Sequence, residues 1–316
     1  MNRRTILYGA LAGALGGALG WLPAEFFALP EPTNELVKYG LIAIYFALVS
    51  AWIGAAIGAL DGVINGQRAQ AIAGARTGAI LGAVGGAVGS LPGEVAFQAL
   101  SAIDLGLVGR ALGWAIVGIF IGVVQGISDR DKVRMLRGGL GGLLGGYLGG
   151  GCFELINGWL ASGAGSRWIA LVILGAFLGA FIAFFQRWLS DAWLVVVSSG
   201  AQEGHRLDLT KPETVLGCGD RDDFVLYAGE GIAARHAIVV EKLNGYWIQA
   251  SSPTYAVRLN GERIGTEQRL RPNTEIGIGS LTLRFAEKTI RCPACDRENA
   301  VKAQFCLGCG KALAAR

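Results

Sequence analysis

The sequence predicts a multidomain chain: an all-α transmembrane bundle of about six helices, an all-β sandwich, and a small tail folded around four cysteines. Composition changes abruptly along it. Residues 1–190 hold 21 charged side chains and 37 of the 50 glycines, whereas the remaining 126 residues hold 31 charges. Six stretches of the first part carry no charge, and about 20 apolar residues suffice for a helix to cross a bilayer core. Beyond them, short apolar runs alternate with turn residues, as strands do, and the last 25 residues hold two Cys-x-x-Cys pairs. With 52% apolar and only 16% charged residues, against about 25% charged in soluble chains, a disordered chain, a collagen and a single soluble enzyme are excluded. The net charge of +4 is scattered, which argues against a nucleic-acid partner. The expected divisions are 1–190 for the bundle, 191–288 for the sandwich and 289–316 for the tail.

Helices are expected over about 5–27, 37–64, 71–100, 109–127, 134–160 and 167–189. The third and fifth are rich in Gly and Ala, which carry little transfer energy, and an internal repeat is what recommends them. Gly9, Gly13, Gly16, Gly17, Gly20 and Glu25 recur as Gly78, Gly82, Gly85, Gly86, Gly89 and Glu94, and again as Gly138, Gly142, Gly145, Gly146, Gly149 and Glu154. Pro23 and Pro92 also match, with Cys152 in the third copy. The reading is three repeated hairpins, each a Gly-rich helix followed by a bulkier one. The bulkier helices end alike at Asp61-Gly62, Gln125-Gly126 and Gln186-Arg187. Glycines four residues apart make a flat face on which a second backbone can lie close, so the Gly faces are expected to be helix–helix seams.

Basic residues set the orientation. Counting alternately from the N-terminus, nine Lys and Arg near the helix ends fall on one side and only Lys38, Arg110 and Arg167 on the other. Both termini are therefore expected in the cytoplasm of a multi-pass plasma-membrane protein. The N-terminal basic and apolar run resembles a signal peptide, but it recurs twice inside the chain and is read as a retained helix. In this topology Glu25, Glu94 and Glu154 sit at corresponding outer helix ends. Two readings are open: an acidic ring forming a cation-attracting mouth, or interfacial carboxylates reaching headgroups and neighbouring helix ends.

After Arg187, strands are expected over 193–197, 224–227, 237–240, 246–249, 256–259, 275–278 and 281–285, with turns at Gly200, Gly204, Asn244-Gly245, Asn260-Gly261 and Pro272-Asn273. The run Val215-Leu-Gly217, Asp222-Asp-Phe-Val-Leu226, Gly231-Ile-Ala-Ala-Arg-His-Ala237, Asn260-Gly261 and Leu270-Arg-Pro-Asn-Thr-Glu-Ile-Gly-Ile-Gly279 resembles the forkhead-associated (FHA) domain over roughly residues 192–287. That resemblance implies loops at one end of the sandwich that bind a phosphothreonine peptide, with a guanidinium and a hydroxyl on the phosphate. The chain departs from the family where phosphate would be held. Cys218 follows Gly217 where the family has arginine; Ala233 and Ala234 stand for a serine and an arginine; Tyr255-Ala256 stands for the Asn-Gly pair that holds the peptide. His236 is retained and is expected to be a buried, satisfied support of the loop. The phosphopeptide-loop candidates are Gly217, Cys218, Arg221, Ala233, Arg235, His236 and Asn260, of which Arg221 and Arg235 lie close enough in sequence to substitute in part for the missing phosphate contacts.

The tail reads Cys292-Pro-Ala-Cys295, ten residues, Cys306-Leu-Gly-Cys309. Two such knuckles satisfy tetrahedral zinc with no open position, so a structural zinc ion is the expected cofactor, and the tail resembles the short zinc ribbons of many prokaryotic proteins. Cys152 and Cys218 are left unpaired, and this usage favours a reducing compartment for the C-terminal part. No nucleophile with its base, phosphate loop or rigid carboxylate pair occurs, and the only histidines are His205 and His236, so no enzymatic reaction is expected. The expected function is a membrane-anchored scaffold. It presents a degenerate FHA domain and a zinc ribbon, on a linker of a few residues, to a cytoplasmic protein partner, phosphorylated or not. A channel or transporter with a regulatory cytoplasmic part is the alternative, and a homo-oligomer is left open.

Overall fold

The computed structural model describes residues 3–313 except 26–33, 65–67, 129–130, 161–162, 201, 210, 220–221, 228–229, 243–244, 302 and 304. The chain divides into two compact units, Met1–Leu189 and Ser190–Arg316.

Among the described residues the first unit has six helices: α1 (Arg3–Glu25), α2 (Glu35–Ile64), α3 (Arg68–Ser101), α4 (Gly106–Ser128), α5 (Lys132–Trp159) and α6 (Ala164–Trp188). All except α5 are long and apolar enough to cross a membrane. The Gly-rich α5 starts on Asp131, whose carboxylate accepts from the amides of Val133 and Arg134 and so satisfies two of the helix's free N–H groups. Each helix packs on its neighbours in sequence, and α6 packs back on α1, so the six close into a ring.

The repeated glycines explain the ring. A Cβ at Gly13 would lie 1.9 Å from the carbonyl oxygen of Gly175 in α6. The equivalent atoms at Gly82 and Gly142 would lie 2.2 Å from the oxygen of Ser50 in α2 and 1.9 Å from that of Gly118 in α4. One turn away Gly9, Gly78 and Gly138 meet Gly179, Gly54 and Gly122 in the same way. The tightest seams therefore join each Gly-rich helix to the bulkier helix before it, not to the one after it, and α6 precedes α1 in this cycle. A second face serves the following helix: Gly16, Gly85 and Gly145 meet Ile53, Phe120 and Leu178, while Gly20, Gly89 and Gly149 meet Val49, Val117 and Leu174.

These contacts align the bulkier helices. Val49, Val117 and Leu174 share one level and Ile53, Ile121 and Leu178 the next, all buried within one apolar cluster. By the same register Asp61 corresponds to Gln186, but Gln125 stands with Ile57 and Ile182, one turn earlier than its polar character suggests. A shift of four residues keeps nearly the same helix face, so polarity alone does not fix the register.

In the second unit two sheets face each other. One runs in the order β2 (Arg206–Asp208), β1 (Ala192–Val196), β11 (Leu281–Glu287), β10 (Glu275–Ile278), β7 (Val257–Leu259), β8 (Glu262–Arg263). The other runs β4 (Phe224–Val225), β3 (Glu213–Gly217), β5 (Ala237–Lys242), β6 (Gly245–Ala250), β9 (Gln268–Arg269), with β3 and β4 parallel. Alternate residues such as Leu194, Val196, Val239, Ile248, Leu283 and Phe285 form a single buried core. Tyr246 and Phe285 meet across it with ring centroids 5.6 Å apart. Asn260 adopts φ 49°, and its side-chain oxygen accepts from the amide of Glu275 at 2.9 Å, tying the β7–β8 turn to β10. The tail adds the hairpin β12 (Thr289–Arg291) and β13 (Glu298–Ala300) and a bridge between Phe305 and Ala312.

Candidate functional sites

The four tail cysteines converge. Cys292 and Cys309 sulfurs lie 3.7 Å apart, those of Cys295 and Cys306 3.5 Å, and all four fall within 4.8 Å of one another. A tetrahedron with Zn–S bonds of about 2.3 Å has edges of about 3.8 Å, so the set fits one such ion and is far too open for disulfides. Both knuckles are built alike. The amide of Cys292 donates to Arg297 O and that of Asp296 back to Cys292 O; the amide of Cys306 donates to Lys311 O and that of Gly310 back to Cys306 O. Asp296 and Gly310 occupy the same step with φ 55° and 72°. In each knuckle an amide two residues on points at the first sulfur: Ala294 N to Cys292 at 3.4 Å and Gly308 N to Cys306 at 3.3 Å. The amides of Cys309 and Gly308 pull the Cys306 thiol down, while hydrogen bonds with the neighbouring thiols push Cys295 up, so the two sulfurs share a proton when no metal is bound.

At one end of the sandwich the loops before β4, before β5 and before β7 meet. Asp222 organises them: its buried carboxylate accepts from the amides of Gly219 and Arg235, both at 2.9 Å. A Cβ at Gly217 would strike the same carboxylate, at 2.4 Å. The Cys218 amide donates to Ala233 O, and its exposed thiol donates to Ile232 O at 3.2 Å. His236 is only 2% exposed. Its Nδ1 accepts from the Ala233 amide at 3.1 Å, its Nε2 faces Ala256 O at 3.5 Å, and its ring stacks on Tyr255. Burial pushes its pKa below the usual histidine value, partly offset by the Ala256 carbonyl. Among the described residues of this end, Arg235 is exposed at φ 51°, Ala234 is exposed, and the hydroxyls of Ser252 and Thr254 bond each other at 2.8 Å. Arg221 lies outside the described residues. Asp222 was visible in the sequence only as part of a motif; its capping role follows from burial.

The bundle holds the three glutamates in ion pairs. Glu25 binds Arg167 through both carboxylate oxygens, one at 3.1 Å from Nε. Arg110 lies 3.4 Å from both Glu94 and Glu154, with its guanidinium 3.8 Å above the Phe97 ring. In the register of the bulkier helices Arg110 and Arg167 are equivalent, and α2 carries Ile42 at that position. Glu94 thus uses the arginine that also serves Glu154. At the other end of the unit, Asp61 pairs with Arg134.

No protein-family model and no curated protein matches the sequence. Several solved structures are similar in part. A domain from a study of phosphothreonine-dependent FHA domain interactions is 17% identical, covers 32% of this chain and 99% of its own, and has a TM-score of 0.29. The FHA domain of the CT664 protein from Chlamydia trachomatis is 20% identical, with 31% and 99% covered and a TM-score of 0.29. The cytoplasmic domain of the T3SS sorting platform protein PscD from P. aeruginosa is 22% identical, with 34% and 90% covered and a TM-score of 0.29.

Proposed function

We propose that the chain is a membrane-anchored interaction scaffold: the helical ring is the anchor, with both termini in the cytoplasm of a plasma membrane, and the sandwich and tail recruit a protein partner. The carrying observation is the chemistry of the sandwich end. Where the FHA resemblance calls for arginine, serine and asparagine, the chain has Cys218, Ala233 and Tyr255, and the amides of Cys218, Gly219, Ala233 and Arg235 already have acceptors within the protein. A dianionic phosphate moved from water to such a site loses hydrogen bonds that the exposed Arg235 alone, among the described residues, is placed to return. The module therefore binds its partner without selecting phosphothreonine. The test is calorimetric titration of the C-terminal unit against a phosphothreonine peptide library and its unphosphorylated twin. Equal or absent binding supports this reading, and selective binding would show that Arg221 or Arg235 has rebuilt a phosphate site.

In the same reading the tail carries one structural zinc ion on Cys292, Cys295, Cys306 and Cys309. The ion would supply cross-linking of the two knuckles and no chemistry, since four thiolates leave no open position. We assign no reaction to the chain. The alternative of a channel is not favoured: apolar layers fill the bundle interior, and the glutamates that would attract cations are paired with arginines.

A further inference from the structure

We propose that Asn299 is a positioning residue of the tail's metal centre, coupling the two knuckles and feeding a hydrogen bond to the Cys306 sulfur. The inference rests on the four-thiolate reading above and adds to it a residue that is not a ligand.

The tail has a very small core, made by Cys292, Ala303, Cys306 and Leu313 with Ile290 against it. Asn299 lies within the tail only 2% exposed, and an amide so buried costs stability unless its polar atoms are used. All are. Nδ2 donates to Arg297 O at 2.7 Å and to Cys306 Sγ at 3.5 Å, and Oδ1 accepts from the Leu307 amide at 2.9 Å. Each partner belongs to a knuckle. Arg297 O is the acceptor that closes the first one through the Cys292 amide, and Leu307 lies between Cys306 and Cys309 in the second. One side chain therefore ties the turn of one pair of thiolates to the turn of the other.

The bond to sulfur has a separate consequence. Four thiolates around a divalent ion carry two excess negative charges in a site that is half withdrawn from water. Donors aimed at sulfur disperse that charge and orient the lone pairs. Cys306 receives Gly308 N and Asn299 Nδ2 beside the Cys309 amide, whereas Cys292 receives the Ala294 amide. Substitutions Asn299→Ala and Asn299→Asp both remove the donor to sulfur and differ at the Leu307 contact. The first removes every contact; the second keeps an acceptor for the Leu307 amide and removes the donors to Cys306 and Arg297.

The test uses the full chain, stripped of metal and reloaded with cobalt(II), whose visible bands report thiolate ligation, with zinc affinity read by competition against a chelator of known affinity. The native chain is expected to take up one cobalt ion with bands of four-thiolate intensity. In both variants zinc affinity is expected to fall about 10- to 100-fold. The thiolate-to-cobalt charge-transfer band is expected to move to lower energy at unchanged intensity, because a sulfur without its N–H donor gives up electron density more readily. Native affinity and native bands in both variants would overturn the proposal and leave Asn299 a filler. A fall in affinity with an unmoved band would overturn the sulfur contact. A native chain that binds neither metal would refute the four-thiolate reading itself, a failure seen before any variant is made.

Discussion

Burial displaces the pKa values of two residues of the C-terminal unit, with opposite consequences for stability against pH. His236 is held neutral: burial keeps its folded pKa below the ordinary histidine value of 6.5, and Nδ1 is already an acceptor for the Ala233 amide. The unfolded chain then binds a proton first as pH falls. The stability His236 contributes is complete above about pH 6.5 and is lost below it. Glu287 is pushed up to about 7 by burial, against the pull of Arg269, so its contribution is complete below about pH 4.5 and is lost as pH rises toward 7. Denaturant unfolding of the unit between pH 4 and 8 is expected to show both slopes. Glu287→Gln should raise stability at pH 7 relative to the native chain, and a variant that tracks the native curve throughout would show that Glu287 is not desolvated. At Asp296 the backbone has φ 55° where the second knuckle has Gly310, and Asp296→Gly is expected to stabilise the tail by about 0.5–1 kcal/mol, read from its thermal midpoint.

Among elements, the helical repeat was legible because glycine at a seam is demanded by geometry: no other residue lets two backbones come so close. The sequence showed which faces pack, but not with which neighbour. That depends on Gly54, Gly118, Gly175 and Gly179 in the bulkier helices, whose spacing was masked by larger apolar residues around them. Substituting Gly13 or Gly142 with Val puts side-chain atoms into a carbonyl oxygen and should cost about 1–3 kcal/mol or more, measured by unfolding in detergent. Gly40, with nothing within 4 Å of its added Cβ, should tolerate Ala. The three glutamates were legible as a set; Arg110 lies only 16 residues from Glu94, whereas Arg167 lies 142 residues from Glu25 and becomes its partner only through ring closure. Glu25→Gln is therefore expected to loosen the α1–α6 seam by leaving Arg167 without its charge partner, and to leave ion flux in proteoliposomes at the protein-free level. The tail cysteines were legible as a set from spacing alone, and the structure brings their sulfurs together. Asn299 and Asp222 were not, because a buried polar side chain is written in sequence like any exposed one.

For the whole molecule, the helical unit, the sandwich and the tail each have their own core. Removal of zinc should thus unfold the tail and leave the sandwich intact, since its core residues from Ala192 to Phe285 are complete without the tail. A chelator titration followed by near-ultraviolet circular dichroism checks this: a single transition that also unfolds the sandwich would contradict it. The central claim is that the bundle spans the membrane and presents the sandwich on the cytoplasmic side. Labelling with a membrane-impermeant maleimide, before and after permeabilising the cells, tests it most directly, using the exposed native Cys218 and a Trp159→Cys variant at the exposed end of α5. The cysteine at 159 is expected to be labelled in intact cells and Cys218 only after permeabilisation; labelling of Cys218 in intact cells would place the sandwich on the opposite side.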